Sequence, residues 1–193
     1  QGLGYARRYL DRLQPIADAD EAANAHGKLT KEVARHLAVR MSYEDVVRVA
    51  QAKIAPARMR RIAREELRVT NEPFSVHDFL KPGIEEFCGS AGGTDHIAVG
   101  LIAKAARLSL ELGLEVVECA RLIKGYGDTH ARGLGNYRLI EERLIRPALA
   151  GQIPSPRAAD AIASARTAAL LDPEGEGLAQ CLAEIDGHSA LRI

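Results

Sequence analysis

One stretch of this sequence, residues 95–124, keeps apolar side chains at helical spacing over almost its whole length. Intervals of three and four residues place such side chains on one face of a helix, and that face has to be covered by other elements. Gly113 lies inside the stretch at a cost of about 1 kcal/mol, which a helix tolerates. The apolar positions are Ile97, Leu101, Ala105, Leu108, Leu112, Val116, Cys119, Leu122 and Ile123. The pattern predicts one long helix that Lys124 and Gly125 terminate.

The apolar composition favours helices over strands throughout the chain. Hydrophobic residues make up 47% of the sequence, but aromatic residues only 4%, and Trp is absent. The core therefore has to be aliphatic, and Ala and Leu are strong helix formers. Alternating runs rich in Val and Ile, typical of strands, do not occur. The fold class predicted is all-α, a multi-helix bundle with a Pro/Gly-rich segment in the middle.

The remaining helices are predicted from the same spacing. The first covers about residues 3–25, and its apolar stripe consists of Leu3, Ala6, Leu10, Leu13 and Ala17. Thr30 is the expected N-cap of the next. Later helices are predicted at 136–149, 158–171 and 178–185.

The domain organisation predicted is a single helical domain over residues 1–193. A connection rich in proline and glycine lies at about 68–94. The chain begins inside a helical pattern without a Met, so we expect a fragment of a longer chain.

Charge and cysteine usage exclude several classes of protein. Lys plus Arg and Asp plus Glu number 26 each, which argues against a general nucleic-acid binder, since such a protein needs surplus cations. Cys88, Cys119 and Cys181 are far apart, which argues against a disulfide framework, an iron–sulfur cluster or a zinc knuckle. A reducing cytoplasm is the simplest compartment. No apolar run approaches the roughly 20 residues of a membrane span, and no signal peptide is visible.

The segment 124–135 is the most unusual part of the sequence, because four glycines alternate with polar residues that could bind a ligand. The candidate residues for a ligand or interface turn are Lys124, Tyr126, Asp128, His130 and Arg132. One interpretation is a concave turn that contacts an anion or an acyl group. The other is a buried polar corner in which Asp128 and Thr129 cap a helix and Arg132 pairs with an acid.

Other polar residues give no catalytic or metal constellation in the sequence. His36 follows Glu32 by four residues, which predicts a contact along a helix and nothing more. A serine elbow and a cysteine with a neighbouring base are both absent. The basic stretch with Arg58, Arg60, Arg61 and Arg64 could meet an acidic protein or a nucleotide phosphate, or it could be a solvated face. We therefore predict no catalytic residue and no metal ligand.

Three stretches carry a resemblance to a known family: residues 34–50, 79–86 and 118–133. The chain resembles the helical C-terminal region of indolepyruvate ferredoxin oxidoreductase beta-subunit-like proteins, of the 2-oxoacid:ferredoxin oxidoreductase family. The likeness covers about residues 1–86 and 101–150, and the run Lys-Gly-Tyr-Gly-Asp-Thr-His from Lys124 is its most specific part. The chain departs from that pattern at 88–100, where members of the family carry a longer stretch.

The resemblance implies a role within an oxidoreductase that decarboxylates 2-oxoacids, such as aryl pyruvates, to acyl-CoA. It implies thiamine diphosphate and iron–sulfur clusters elsewhere in the complex and no cofactor in this fragment. The implied partners are the remaining domains of the same chain, a thiamine-diphosphate-binding subunit and, through the complex, ferredoxin, with neither nucleic acid nor membrane among them. We expect an accessory domain that supports assembly or lines the active site and is not catalytic alone. The alternative is a helical interaction module, which could pair with a second copy.

Overall fold

The computed structural model describes residues 2–43, 46–69, 72–77, 94–125 and 127–190. Helices dominate these ranges, and none of the residues in them forms a strand. The prediction of an all-α, multi-helix fold is therefore confirmed. Most of the connection predicted at about 68–94 lies outside the described residues. Of its described residues, 68–69 and 72–77 are neither helix nor strand, and Thr94 begins a helix.

The helices follow one another with short connections. The first four are α1 (Leu3–Ala22), α2 (Lys28–Tyr43), α3 (Val46–Lys53) and α4 (Pro56–Arg61), which continues as a π-helical turn (Ile62–Leu67). The next are α5 (Thr94–Leu108) and α6 (Leu110–Glu118), followed by a 3₁₀ turn (Cys119–Leu122). The last are α7 (Gly127–Ile140) with a π-helical extension (Glu141–Ile145), α8 (Arg146–Leu149), α9 (Ser155–Leu171) and α10 (Glu176–Ala190).

The core is aliphatic, as the composition predicted. Helix α5 packs against both α1 and α6, and α9 packs against α6 and α10. Ile16, Leu29, Ile140 and Ile162 are among the largest side chains that are fully buried. Tyr137 is the one buried aromatic residue among those whose side-chain burial the structure describes.

The long helix predicted over 95–124 is wrong in one respect, because the chain breaks it at Ser109. Ser109 has extended backbone angles, and its Oγ accepts a hydrogen bond from the N–H of Leu112, which caps α6. The absence of a side chain on Gly113 lets α6 approach the backbone of Ala106 on α5. The two halves thus pack against each other instead of forming one rod.

The apolar stripe predicted on α1 is wrong in part, because Leu13 is buried in the core but the N-terminal half of the stripe is exposed. Leu3 and Leu10 are 91% and 63% exposed, whereas Ile16 is fully buried. Two half-buried tyrosines cover α2 instead: Tyr5 donates to the carbonyl of Met41 at 2.6 Å, and Tyr9 to that of Ala34 at 3.0 Å. A tyrosine can bury its ring and still hydrogen-bond its hydroxyl, so the tyrosines and not the leucines contact α2.

The corner between α1 and α2 depends on a buried carboxylate. Asp20 is 2% exposed and accepts hydrogen bonds from the N–H groups of Gly27 at 2.7 Å and Thr30 at 2.6 Å. Burial would raise the pKa of Asp20, but the hydrogen bonds from Thr30 and Gly27 hold it below its ordinary value. Asp20 therefore provides hydrogen-bond acceptors for backbone N–H groups at the start of α2. The expectation that Thr30 is the N-cap is wrong, since α2 begins at Lys28.

The described cysteines form no disulfide, and the described helices include no membrane span. Cys119 and Cys181 are free thiols, and Cys88 lies outside the described residues. Within the described ranges, none of the helices combines the length and apolar character that a membrane crossing requires.

Candidate functional site

The segment 124–135 is mostly helix, so the prediction of a long polar turn before a helix at Asn136 is wrong. Helix α7 begins at Gly127 and runs through Gly133 and Gly135. Only Gly125, with φ +78°, and Gly127, with φ +55°, adopt the left-handed conformation that glycine favours. Gly133 instead allows α7 to lie against the backbone of the 3₁₀ turn. Two of the four glycines therefore serve a helix and not a turn.

The candidate residues of this segment are distributed over more than one face. Lys124 is exposed and precedes α7, while Tyr126 lies outside the described residues. Asp128 and Arg132 are exposed and four residues apart, which places them on one face of α7. His130 is half-buried, and its position two residues on from Asp128 turns it toward the other side of the helix.

The face of α7 that carries Arg132 contacts the turn between α9 and α10. Arg132 Nε lies 3.5 Å from Glu174 Oε1, with side chains 43% and 67% exposed. One helical turn later, the buried Asn136 donates from Nδ2 to the carbonyl of Pro173 at 3.1 Å. The interpretation in which Arg132 pairs with an acid is therefore realised in the fold. Sequence reasoning did not find Asn136, whose only signal is its four-residue spacing from Arg132.

A second polar group, which the sequence did not reveal, lies between α2 and α6. Glu118, the last residue of α6, has its Oε1 atom 3.4 Å from both His36 Nε2 and Arg35 Nη2. Arg35 Nη2 also lies 2.9 Å from Glu32 Oε2. We call Glu32, Arg35, His36 and Glu118 the α2–α6 cluster.

The α2–α6 cluster centres on the guanidinium of Arg35. Arg35 Nη2 lies 2.9 Å from His36 Nε2, which accepts from this guanidinium when the ring proton is on Nδ1 and donates to Glu118 when the proton is on Nε2. Burial would raise the pKa of Glu118, but its neighbours His36 and Arg121 hold it below the ordinary value. Glu118 is thus a carboxylate at neutral pH.

The ligand atoms of Glu32, His36 and Glu118 all lie within 4.8 Å of one another. Among the described residues, this is the group of carboxylates and imidazole that could hold a metal ion. The sequence showed only the pair on α2. Glu118 is 82 residues from His36 in the chain, so its approach depends on how α2 and α6 pack.

The basic stretch on α4 forms an arginine-lined groove. Its lining includes Arg60, Arg61, Arg64 and Arg68, together with small apolar residues. Arg64 lies 2.9 Å from Glu65, which partly neutralises the groove. Both interpretations of the stretch, a phosphate or acidic contact and a solvated face, agree with this mixture of charges.

Comparison with known proteins places the N-terminal half of the chain in a family. Residues 1–100 match the model of DUF6537, described as a family of unknown function. This chain belongs to the DUF6537 family. No curated protein and no solved structure matches it. The matched region of this DUF6537 member carries Glu32, Arg35 and His36, whereas Glu118 and the segment 124–135 follow it in the chain.

Proposed function

We propose that this chain is an accessory helical domain of a 2-oxoacid oxidoreductase of the indolepyruvate ferredoxin type. It supports oxidative decarboxylation of 2-oxoacids to acyl-CoA by assisting assembly or by lining the route to the active site. Thiamine diphosphate and the iron–sulfur clusters belong to other parts of that complex, in a reducing cytoplasm. The observation that carries the proposal is the contact between two of the resembling stretches.

That contact joins residues 34–50 and 118–133, which are far apart in the chain. His36 of the first stretch meets Glu118 at the start of the second, at 3.4 Å. The second stretch then continues through the 3₁₀ turn into Lys124 and the first turns of α7. The packing of α2 against α6 therefore brings the two resembling stretches together at one seam.

Lys124 is the residue at this seam that is best placed to meet an anionic partner. Its side chain is exposed, and no ion pair with another described residue holds it. Arg132, by contrast, already has Glu174 as a partner. The carboxylates and phosphates of a 2-oxoacid, an acyl-CoA or an acidic protein surface would each pair with a lysine at this position.

Kinetics of the intact complex test the proposal. Lys124→Gln is expected to raise the KM for CoA or the 2-oxoacid, or to weaken assembly, whereas Lys104→Gln on the exposed side of α5 leaves both unchanged. Arg132→Gln is compared with Glu174→Gln. Equal effects of the two indicate that Arg132 acts only through its ion pair, and a larger effect of Arg132→Gln indicates a direct contact. Unchanged kinetics and assembly in both Lys124→Gln and Arg132→Gln would overturn the proposed role of the segment.

A second candidate function is an interaction module that pairs with another copy of this chain. Leu3 and Leu10 are 91% and 63% exposed, and their spacing of seven residues puts them on one face of α1. Light scattering over a range of concentrations should then show a dimer that Leu10→Ser dissociates. Leu171→Ser, at an 82% exposed position on α9, is the matched control and should not affect the dimer. A strictly monomeric chain would contradict this function.

A further inference from the structure

The α2–α6 cluster has the donor set of a metal site, and a protein cation occupies its centre. Arg35 Nη2 is 2.9 Å from Glu32 Oε2, 2.9 Å from His36 Nε2 and 3.4 Å from Glu118 Oε1. These three atoms are two carboxylate oxygens and an imidazole nitrogen, which accepts when the ring proton is on Nδ1. All three therefore present lone pairs toward one point, as the ligands of a metal ion do.

We propose that Glu32, His36 and Glu118 bind a divalent first-row transition-metal ion, which displaces the guanidinium of Arg35. Carboxylate oxygen together with neutral imidazole suits Zn²⁺, Mn²⁺, Fe²⁺ or Co²⁺. The site is independent of the proposed role in 2-oxoacid oxidation, because it rests only on the packing of α2 against α6.

The ligand atoms would fit around a single ion if they moved slightly closer together. Ligands at about 2.1 Å from a tetrahedral ion lie about 3.4 Å from each other. The distance between His36 Nε2 and Glu118 Oε1 is already 3.4 Å, and all three atoms are within 4.8 Å. Glu32 and His36 stand one helical turn apart on α2, so a rotamer change of the Glu32 side chain suffices to complete the set.

Two of the proposed ligands, His36 and Glu118, are more buried than Arg35, so their side chains are held in place more tightly. The side chain of His36 is 14% exposed and that of Glu118 is 26% exposed. Arg35 is 56% exposed, so its long side chain can move into solvent without opening the core. Arg121 pairs with the other oxygen of Glu118, Oε2 at 3.3 Å, which orients the carboxylate and leaves Oε1 toward the site.

Arg35 competes with a metal ion for the carboxylates of Glu32 and Glu118. The carboxylates of Glu32 and Glu118 face two cations, Arg35 of the cluster and Arg121 beside it, so these four charges sum to zero in the absence of an ion. A divalent ion in place of Arg35 adds a further positive charge next to Glu32 and Glu118. With three protein ligands, the ion keeps at least one open position for water or for an anionic ligand.

Titration of the metal-free full chain with Zn²⁺ by calorimetry, and with Co²⁺ by visible absorption, tests the site. One equivalent of each ion is expected to bind. His36→Gln and Glu118→Gln should each weaken binding at least tenfold. His77→Gln, at an exposed histidine outside the cluster, is the matched control and should leave the affinity unchanged. Equal affinity in the wild type and in His36→Gln would overturn the site.

Arg35→Ala separates a metal site from a purely structural ion-pair network. Removal of the competing cation should tighten Zn²⁺ binding about tenfold, since a neighbouring unit charge no longer opposes the ion. Weaker or unchanged binding in Arg35→Ala would refute the proposal. Because Arg35 is an exposed side chain, this variant should fold even if Glu118→Gln does not, and circular dichroism of the metal-free variants checks folding.

Discussion

Gly133 on α7 faces the backbone carbonyl oxygen of Leu122 so closely that a Cβ on Gly133 would lie 2.2 Å from that oxygen. Observed Cβ contacts essentially never fall below 3.0 Å, and a backbone carbonyl cannot rotate away as a side chain does. Glycine at this position therefore allows α7 to cross the 3₁₀ turn. The glycine content of 124–135 is explained in part by packing between helices.

Alanine substitutions at two glycines of α7 should have opposite effects. Gly133→Ala should lower the free energy of unfolding by about 1–3 kcal/mol, because α7 has to move away from Leu122. Gly135→Ala should raise it by about 0.5–1 kcal/mol, because alanine favours the helix and no atom beyond its chain neighbours and the local helix backbone lies within 4 Å of the Cβ position. Urea denaturation of both variants measures the two changes. Stabilisation by Gly133→Ala would show that α7 does not make this close approach.

Replacement of the buried carboxylate at the α1–α2 corner should be costly. Both oxygens of Asp20 accept backbone N–H groups, so Asp20→Asn turns an amide donor toward another donor. The expected loss is about 2 kcal/mol of unfolding free energy, as for hydrogen bonds to charged groups. Asp18→Asn, at an exposed position on the same helix, is the control and should change stability by less than about 0.5 kcal/mol. Thermal or urea denaturation at neutral pH gives both values, and equal losses would contradict the assigned role of Asp20.

The pH dependence of stability should reflect the same carboxylate. The pKa of Asp20 in the folded chain is below its ordinary value of 3.8. Its contribution is therefore fully present above that value and is lost as the pH falls through the lower folded pKa. Between pH 5 and about pH 2, the unfolding free energy of Asp20→Asn should fall less steeply than that of the wild type. Parallel pH profiles of the two proteins would exclude this linkage.

Glu118 should add to the loss of stability in acid. Its pKa lies below the ordinary value of 4.5, so its contribution disappears as the pH falls below that value. Glu118→Gln should therefore flatten the same profile, with a smaller effect than Asp20→Asn because Glu118 is more exposed. Melting temperatures at neutral and acidic pH measure it, and Glu111→Gln on the exposed face of α6 is the control. A steeper acid loss in Glu118→Gln would contradict the sign.

The described cysteines should differ in reactivity. Burial raises the pKa of the Cys119 thiol to about 12, and its Sγ donates to the carbonyl of Glu115 at 3.4 Å. Cys181 is half-buried, so a native-state alkylating agent should modify it first and reach Cys119 only after unfolding. Peptide mapping by mass spectrometry after timed alkylation distinguishes the two. Equal rates at both positions would place Cys119 at the surface.

Sequence reasoning succeeded where the signal is local. The Ala-rich segment predicted at 158–171 is a helix in α9, because helix propensity and apolar spacing act over a few residues. It was wrong in part on α1, where Leu13 of the predicted stripe is buried but Leu3 and Leu10 are exposed and two tyrosines contact α2. Spacing alone cannot decide which face is covered, since that depends on the shape of α2.

At the candidate sites too, the sequence predicted local features but not contacts between distant elements. The segment 124–135 was conspicuous in the sequence, yet glycine spacing could not distinguish a ligand turn from a close helix crossing. The pairing of Arg132 with Glu174 depends on the position of the turn between α9 and α10. The roles of Lys124, Tyr126, Asp128, His130 and Arg132 in ligand or partner binding stay predictions.

The sequence by itself determined that the chain forms helices with an aliphatic core, because backbone preference and apolar periodicity are local properties. It also placed Glu32 and His36 on one face of α2, since four residues make about one turn. Only the tertiary structure placed Glu118 next to both His36 and the guanidinium of Arg35. That approach follows from the packing of α2 on α6 across 82 residues of chain, which no local pattern encodes.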